Sequence, residues 1–141
     1  MRADLRLSSD RDAMDRERIH RWLSEDAYWA LGRSRAVQDA AIDGSRNFGV
    51  FDDETGTQLG YARVVTDGVT FAWLCDVFVD PDARGRGIGV ALIEFVVSDL
   101  APLGLRRIAL ATADAHGLYE RFGFAPLADP ELWMSRSGTA G

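Results

Sequence analysis

Residues 75–93 read Cys75-Asp76-Val77-Phe78-Val79-Asp80-Pro81-Asp82-Ala83-Arg84-Gly85-Arg86-Gly87-Ile88-Gly89-Val90-Ala91-Leu92-Ile93. An apolar strand is followed by a turn that contains proline, then by a loop with three closely spaced glycines, and then by an apolar helix. Glycine lets backbone N–H groups approach a ligand and adopts dihedrals that other residues resist. The first turn of a helix presents unpaired N–H groups and the positive end of its dipole. The pattern therefore predicts an anion site, and phosphate is the usual anion.

Two familiar phosphate-binding motifs do not fit this loop. A Walker loop ends in Gly-Lys-Ser/Thr, and the chain contains no lysine. A dinucleotide fingerprint needs Gly-x-Gly-x-x-Gly or Ala. Counted from Gly85 the third position is Val90, and counted from Gly87 it is Leu92. Neither frame therefore predicts a dinucleotide site.

The loop does match the pattern Gln/Arg-x-x-Gly-x-Gly/Ala, with Arg84, Gly87 and Gly89 at its fixed positions. Here the chain resembles the GCN5-related N-acetyltransferase (GNAT) superfamily, in which this loop binds the pyrophosphate of acetyl-CoA. The alternative is a tight strand–helix turn with two solvated arginines. The resemblance implies that the backbone N–H groups of the whole run bind the pyrophosphate and that its two arginines add charge; the run comprises Arg84, Gly85, Arg86, Gly87, Ile88 and Gly89.

Length and composition narrow the class of protein. A chain of 141 residues predicts a single domain, residues 1–141, with a real core. The net charge of −6 argues against a nucleic-acid partner. Cys75 is the one cysteine, and His20 and His116 lack zinc-motif spacing, so we expect no disulfide and no metal. Without an apolar run long enough for a membrane or a leader, we expect a cytoplasmic protein.

The N-terminal third is predicted to contain one strand and two helices. Residues 4–7 alternate as a short strand. Asp12 is placed to cap a first helix, whose inward apolar residues are Ile19, Trp22 and Leu23. A second helix is predicted over residues 34–43 and stops before Gly44; its inward residues are expected to be Val37, Ala40 and Ala41.

The middle of the chain predicts a β-meander. Residues 48–51 and 59–65 form two strands, and Asp67-Gly68 is a hairpin signal before the third strand. That third strand, residues 70–79, is almost uninterrupted apolar, which favours a central strand covered on both faces.

The remainder predicts a buried helix over residues 87–100, a parallel strand over residues 107–112 and a short helix over residues 115–122. The tail, residues 124–135, has room for one or two edge strands. The order of elements is α/β, with a mixed and mainly antiparallel sheet flanked by helices. This order also resembles the acyl-CoA N-acyltransferase (GNAT-like) fold.

Two further segments resemble parts of the active site of the GNAT superfamily. In the family, the strand that matches Val77, Phe78 and Val79 splays from its neighbour, so that its free backbone groups pair with the pantetheine arm. A backbone N–H there can face the thioester oxygen as charge builds on it. Leu118-Tyr119-Glu120-Arg121-Phe122-Gly123-Phe124 looks like the family's Leu-Tyr-x-x-x-Gly-Phe signature. The resemblance implies that Tyr119 gives its proton to the CoA thiolate, whereas a plain core aromatic is the alternative. Thr112 stands where the family commonly has a cofactor-binding Asn.

Asp76 is a carboxylate inside an apolar strand, which is costly unless it is hydrogen-bonded or faces a cleft. Desolvation would raise its pKa and suit it to remove a proton from an ammonium substrate. Equally, it could be a structural carboxylate that holds a neighbouring loop or the first helices. His116 is a further candidate base, although a surface histidine is more often inert. Cys75 has no paired histidine motif and is expected in the core.

The aromatic stretch around Tyr28 and Trp29, with Arg33 and Arg35, is a candidate wall for the acceptor, which Trp73 and Phe48 could join; a plain core role is the alternative. The sequence is interpreted as that of an acetyl-CoA-dependent N-acetyltransferase acting on a primary amine of a small molecule or peptide. A non-catalytic acyl-CoA-binding regulatory module is the competing interpretation. A homodimer is common in the family, and nothing in the sequence itself indicates one.

Overall fold

The computed structural model describes residues 4–138. Their strands form one five-stranded sheet in the order β1-β2-β3-β4-β5. Neighbouring strands are antiparallel except for β4 and β5, which are parallel. The strands are β1 (Leu5–Ser8), β2 (Arg46–Asp52), β3 (Gln58–Thr66), β4 (Phe71–Val79) and β5 (Arg107–Ala109). The predicted mixed, mainly antiparallel sheet is confirmed.

Helices cover both faces of this sheet and create two cores. One core packs α3 against β2, β3 and β4, and the other packs α1 and α2 against Phe51, Tyr61 and Phe78. Gly60 allows the close approach of α3, since a Cβ there would lie 3.2 Å from Ile88. The helices are α1 (Arg16–Asp26), α2 (Arg35–Asp43), α3 (Ile88–Leu100) and α4 (His116–Glu120). None of the helices within residues 4–138 has the length and apolarity needed to cross a membrane.

The start of α1 differs from the prediction. The cap is Asp15, whose carboxylate accepts a hydrogen bond from the N–H of Arg18 at 3.1 Å. Asp12 lies in the preceding 3-10 turn, Arg11–Ala13. The sequence offers several aspartates in a row, and spacing to the apolar residues does not choose between them. The inward residues Ile19, Trp22 and Leu23 are confirmed as buried.

The predicted inner face of α2 is wrong. The helix buries Gln38 and Ile42, whereas Val37 and Ala40 are exposed and Ala41 is half-buried. Gln38 turns inward because its amide oxygen accepts a hydrogen bond from Arg33 Nη1 at 3.0 Å. A polar residue whose partner lies just before the helix thus displaces the apolar positions from the core.

β4 is not buried on both faces along its whole length, although its almost uninterrupted apolar sequence predicts this. Its exposure alternates, and Phe71 and Trp73 each remain more than a third exposed. A β-bulge shifts the register between Tyr61 and Arg63 of β3, and Asp76 takes a positive φ of 54°. Beyond the bulge the faces exchange, because Leu74 packs with α3 whereas Phe78 packs with α1.

The C-terminal part holds fewer strands than predicted. β5 ends at Ala109, and within the described residues the chain after Phe124 forms a 3-10 turn, Pro130–Leu132, instead of an edge strand. Pro126 and Pro130 provide no N–H for a ladder, which accounts for the missing pairing. The segment is held instead by Trp133, over which the Arg107 guanidinium lies 5.0 Å from the ring centre.

Candidate active site

A cleft of about 500 Å³ opens where β4 and β5 part. Their parallel ladder ends at the pair Trp73 and Ala109, and β4 continues to Val79 without a partner on that side. The structure brings seven of the fifteen predicted site residues to this cleft, namely Tyr28, Trp29, Trp73, Asp76, Val77, Thr112 and Tyr119. Residues far apart in the sequence therefore share one opening.

The bulge in β4 leaves backbone groups without a ladder at the centre of the cleft. Asp76 and Val77 have no partner residue in either neighbouring strand, since the β3 register passes from Cys75 to Phe78. Val77 also lines the cleft. Backbone groups outside a strand pairing are suited to pair with an amide-bearing ligand that enters as an additional strand.

A second groove, of about 390 Å³, runs from the same point to the start of α3. It shares Val77, Ala115 and Tyr119 with the cleft, so the two openings adjoin at these residues. Six of its other lining residues come from the strand end and the glycine loop: Val79, Arg84, Gly85, Gly87, Ile88 and Gly89. The glycine-rich loop thus lines the groove, and Tyr119 lies where the groove meets the cleft.

The start of α3 has the features of an anion site. Gly87 is the N-cap with φ of 75°, and it provides no side-chain hydrogen bond. The first intrahelical bond runs from the N–H of Ala91 to the carbonyl of Gly87 at 3.1 Å. The N–H groups of Ile88, Gly89 and Val90 therefore have no partner within the helix and combine with its positive dipole end.

The other predicted members of this loop differ in position. Arg84 lines the groove, and its Nε donates to the carbonyl of Val79 at 3.3 Å. Arg86 is exposed and does not line the groove. The Phe78 side chain is buried and packs on Trp22 with ring centres 5.5 Å apart, so only its backbone is available to a ligand.

Asp76 is almost fully buried and is held by three donors. Trp29 Nε1 donates to its Oδ1 at 3.0 Å, and Arg33 Nη1 and Arg63 Nε donate to its Oδ2 at 2.7 and 2.9 Å. Burial acts to raise the pKa of Asp76, but the hydrogen bonds and charges of the two arginines outweigh it and hold the pKa below its ordinary value. The prediction of a raised pKa is wrong. The geometry favours the structural alternative, in which this carboxylate fixes the α1–α2 loop to β4.

This arrangement predicts a pH dependence of stability. Because the folded pKa of Asp76 lies below the unfolded one, its stabilising contribution is complete above about pH 4 and is lost as the pH falls through the folded pKa. Urea unfolding of wild type and of Asp76→Asn between pH 7 and pH 2.5 checks this. We expect the difference in unfolding free energy to be constant near neutrality and to shrink below about pH 4. A difference independent of pH would contradict the ion-pair assignment.

Tyr119 lies where the cleft and the groove meet, with 7% of its surface exposed. Its hydroxyl makes no hydrogen bond to another residue within 4–138. Burial, together with the nearby Asp114 and Tyr28, raises the pKa of Tyr119 to about 12. The phenol is therefore protonated at neutral pH and is available as a proton donor.

The remaining polar candidates have more limited chemistry. The Thr112 hydroxyl accepts a hydrogen bond from the N–H of Ala115 at 3.1 Å and so stabilises the turn before α4. His116 is exposed on the outer side of α4, in a different pocket from the cleft. Cys75 lines the cleft instead of lying in the core, and burial raises the pKa of its thiol to about 11. A protonated thiol is a poor nucleophile.

The aromatic loop between α1 and α2 forms one wall of the cleft. Tyr28 and Trp29 pack edge to face, with ring centres 4.9 Å apart. The Tyr28 hydroxyl accepts a hydrogen bond from the N–H of Ala113, which connects this loop to the β5–α4 loop. Phe48 does not join the wall, because it is fully buried against Phe95.

Two groups of the site were not predicted. Arg63 reaches Asp76 from β3, and Arg18 pairs with Asp80 at the start of the turn that leads to the glycine loop. Arg18 Nε also donates to the carbonyl of Gln58 at 2.8 Å, so α1 is fixed to this turn. Arg63 stands among apolar residues of β3, at a position that the two-residue period of the strand turns inward. This pattern was the signal that could have identified it.

A mixed sheet that opens between its last two strands, with a glycine-rich loop before a buried helix, defines the acyl-CoA N-acyltransferase fold. The model of the acetyltransferase (GNAT) family matches residues 16–124. A protein of Gibberella zeae that is named as an acetyltransferase is 31% identical over 138 residues, covering 84% of this chain and 77% of that protein. The chain belongs to the GNAT family of acetyltransferases.

Other relatives show how far the likeness extends. Serotonin N-acetyltransferase 2, chloroplastic, of Oryza sativa subsp. japonica is 40% identical over 77 residues, which are 54% of this chain and 38% of that protein. A crystal structure from Xanthomonas campestris pv. campestris, described as an acetyltransferase of the GNAT family, has a TM-score of 0.89 and 46% identity, covering 95% of this chain and 93% of that chain. N-acetylglutamate synthase from Neisseria gonorrhoeae, solved with coenzyme A, shares the fold with a TM-score of 0.72 at 18% identity, over 90% of this chain and 30% of that chain.

Proposed function

We propose that the chain acts as a single acetyltransferase domain that moves an acetyl group from acetyl-CoA to a primary amine. The observation that carries the proposal is the adjoining groove and cleft, which together extend from the N–H groups at the start of α3 to the phenol of Tyr119. These N–H groups and this phenol suit a diphosphate and a thiolate. A protein with the same fold was solved with coenzyme A, which supports this choice of ligand.

Each part of the groove and the cleft then has a task. The N–H groups of Ile88 and Gly89 would bind the pyrophosphate, with the Arg84 charge beside them. The free backbone at Val77 would hold the pantetheine arm and place a donor near the thioester oxygen. The bound coenzyme supplies a thioester, which is already activated toward amines, so positioning provides much of the rate.

The bonds and protons of the acetyl transfer can be accounted for with the groups of the cleft and solvent. The amine nitrogen forms a bond to the acetyl carbon as the bond between that carbon and sulfur breaks. A primary ammonium loses two protons overall, of which one goes to solvent and one replaces the proton that Tyr119 gives to the thiolate. Since both Asp76 oxygens are occupied by donors, we assign removal of the substrate proton to water in the cleft.

Incubation with acetyl-CoA and a panel of primary amines tests the function. We expect at least one amine to release CoA thiol at a rate well above the rate without acceptor, with an acetylated product of matching mass. The control without protein corrects for spontaneous aminolysis of the thioester. If coenzyme A binds but no amine in a broad panel accelerates thiol release, the non-catalytic acyl-CoA-binding module replaces this proposal.

A further inference from the structure

We propose that the amine acceptor carries a carboxylate, which binds to the free N–H groups of Arg33 and Arg63 on the floor of the cleft. The inference rests on the proposed function, because it names the class of acceptor for the same site. It follows from the charge of the floor, from the donors left free there and from the distribution of the other groups along the cleft.

The floor of the cleft has an excess of positive charge. Arg33 and Arg63 both pair with the same oxygen of Asp76, so two guanidinium charges face one carboxylate and one positive charge is left over. The two arginine side chains keep 16% and 14% of their surface exposed, and both line the cleft. An unbalanced charge at a largely buried position is costly unless an anion compensates it.

Hydrogen-bond donors on this floor are also left free. Arg33 Nε and Nη2 and Arg63 Nη2 donate to no other described residue. Within residues 4–138, the one fully buried side-chain nitrogen or oxygen without a partner is Gln38 Nε2, so these three arginine nitrogens keep some exposed surface, and both arginines line the cleft. The fork of a guanidinium matches the two oxygens of a carboxylate.

The rest of the cleft fits an amino acid-like molecule. Tyr28, Trp29 and Trp73 expose aromatic surface that can cover an apolar body. Asp114 lies on the β5–α4 loop, and its negative charge acts on Tyr119, which places it near the end where the amine must react. The cleft is thus positive at its floor and negative beside the phenol. An acceptor with a carboxylate at one end and an ammonium at the other matches this polarity.

The test compares ligands that differ only in whether they carry a carboxylate. Isothermal titration of the CoA-bound protein with 3-phenylpropanoate and with 3-phenylpropanamide measures the contribution of the carboxylate to binding. Neither ligand has an amine, so no acetyl transfer takes place. We expect the carboxylate to bind about tenfold more tightly or better, because it gains charge-assisted hydrogen bonds. In turnover, phenylalanine is expected to exceed phenethylamine in kcat/KM by a similar factor. Equal binding of the acid and the amide, or tighter binding of the amide, would overturn the inference.

Arg33→Gln removes the excess charge while Arg63 and Trp29 still hold Asp76. We expect this variant to lose the preference for the acid over the amide, and Arg33→Lys to recover part of it. Arg35→Gln is the matched control, because Arg35 pairs with Asp39 on the surface and does not line the cleft. A preference unchanged in Arg33→Gln would also count against the site. If Arg33→Gln does not fold, the comparison of acid and amide with wild type decides alone.

Measurements of binding and of turnover distinguish a failure of the carboxylate site from a failure of the proposed acetyltransferase function. Selective binding of the acid without acetyl transfer to any amine would remove the proposed function and leave the carboxylate site in place. Transfer that favours phenethylamine over phenylalanine, together with equal binding of the acid and the amide, would retain the function and remove the carboxylate site.

Discussion

Tyr119→Phe is expected to lower kcat for acetyl transfer about 100-fold and to leave the affinity for coenzyme A almost unchanged. The substitution removes only the hydroxyl that lies between the cleft and the groove. Because burial keeps this phenol protonated, its proton is available to the departing thiolate at neutral pH. Initial rates of CoA thiol release, with a calorimetric titration of coenzyme A beside them, provide the measurement.

Tyr61→Phe is the matched control for the loss of a buried hydroxyl. Tyr61 is fully buried, donates to the side-chain oxygen of Asn47 and lies outside the cleft. We expect it to lower the unfolding free energy by about 1 kcal/mol and to keep kcat near the wild-type value. If Tyr119→Phe retained the wild-type kcat, or if it lost coenzyme A binding together with activity, Tyr119 would not be the proton donor.

Asp76→Ala is expected to lower the unfolding free energy by about 3 kcal/mol. The variant leaves Arg33, Arg63 and the indole N–H of Trp29 without their common acceptor. The loss of unfolding free energy should lie at the lower end of the range for a broken buried ion pair, because both guanidinium groups are partly exposed and can recruit water. Urea unfolding followed by tryptophan fluorescence measures it.

Asp99→Ala provides the comparison for a surface ion pair. Asp99 accepts a hydrogen bond from Arg46 at 3.0 Å, and the two side chains keep 30% and 42% of their surface exposed, against 1% for Asp76. Its removal is expected to cost less than about 1 kcal/mol. Equal losses for the two aspartate variants would show that the Asp76 cluster does not fix the α1–α2 loop.

Local patterns predicted the parts of the site that lie within one stretch of chain. The positions of Gly85 and Gly87 follow from the requirement for positive φ before a helix, and both adopt it. Tyr119 is singled out because residues 118–124 resemble the family's Leu-Tyr-x-x-x-Gly-Phe signature, and it lies in the short helix α4, which ends before Gly123. In these segments the residues that determine the geometry are neighbours in the sequence.

Polar contacts that hydrophobic spacing does not reveal account for the errors. The pKa of Asp76 depends on Trp29, Arg33 and Arg63, which belong to a loop and another strand, so the sequence showed the buried carboxylate without its three donors. The inner face of α2 follows from the hydrogen bond between Arg33 and Gln38. Neither partner could be chosen from hydrophobic spacing alone.

Backbone N–H groups at the start of α3 are proposed to bind the diphosphate of coenzyme A, and the rest of the proposed function depends on this contact. Isothermal titration of coenzyme A into wild type, Gly87→Val and Gly68→Val tests it directly. Gly87 and Gly68 have φ of 75° and 79° with open space around each, so the two substitutions introduce similar backbone strain. We expect wild type and Gly68→Val to bind alike and Gly87→Val to bind at least about tenfold more weakly. Absence of binding heat with wild type, or equal weakening by both substitutions, would contradict the account.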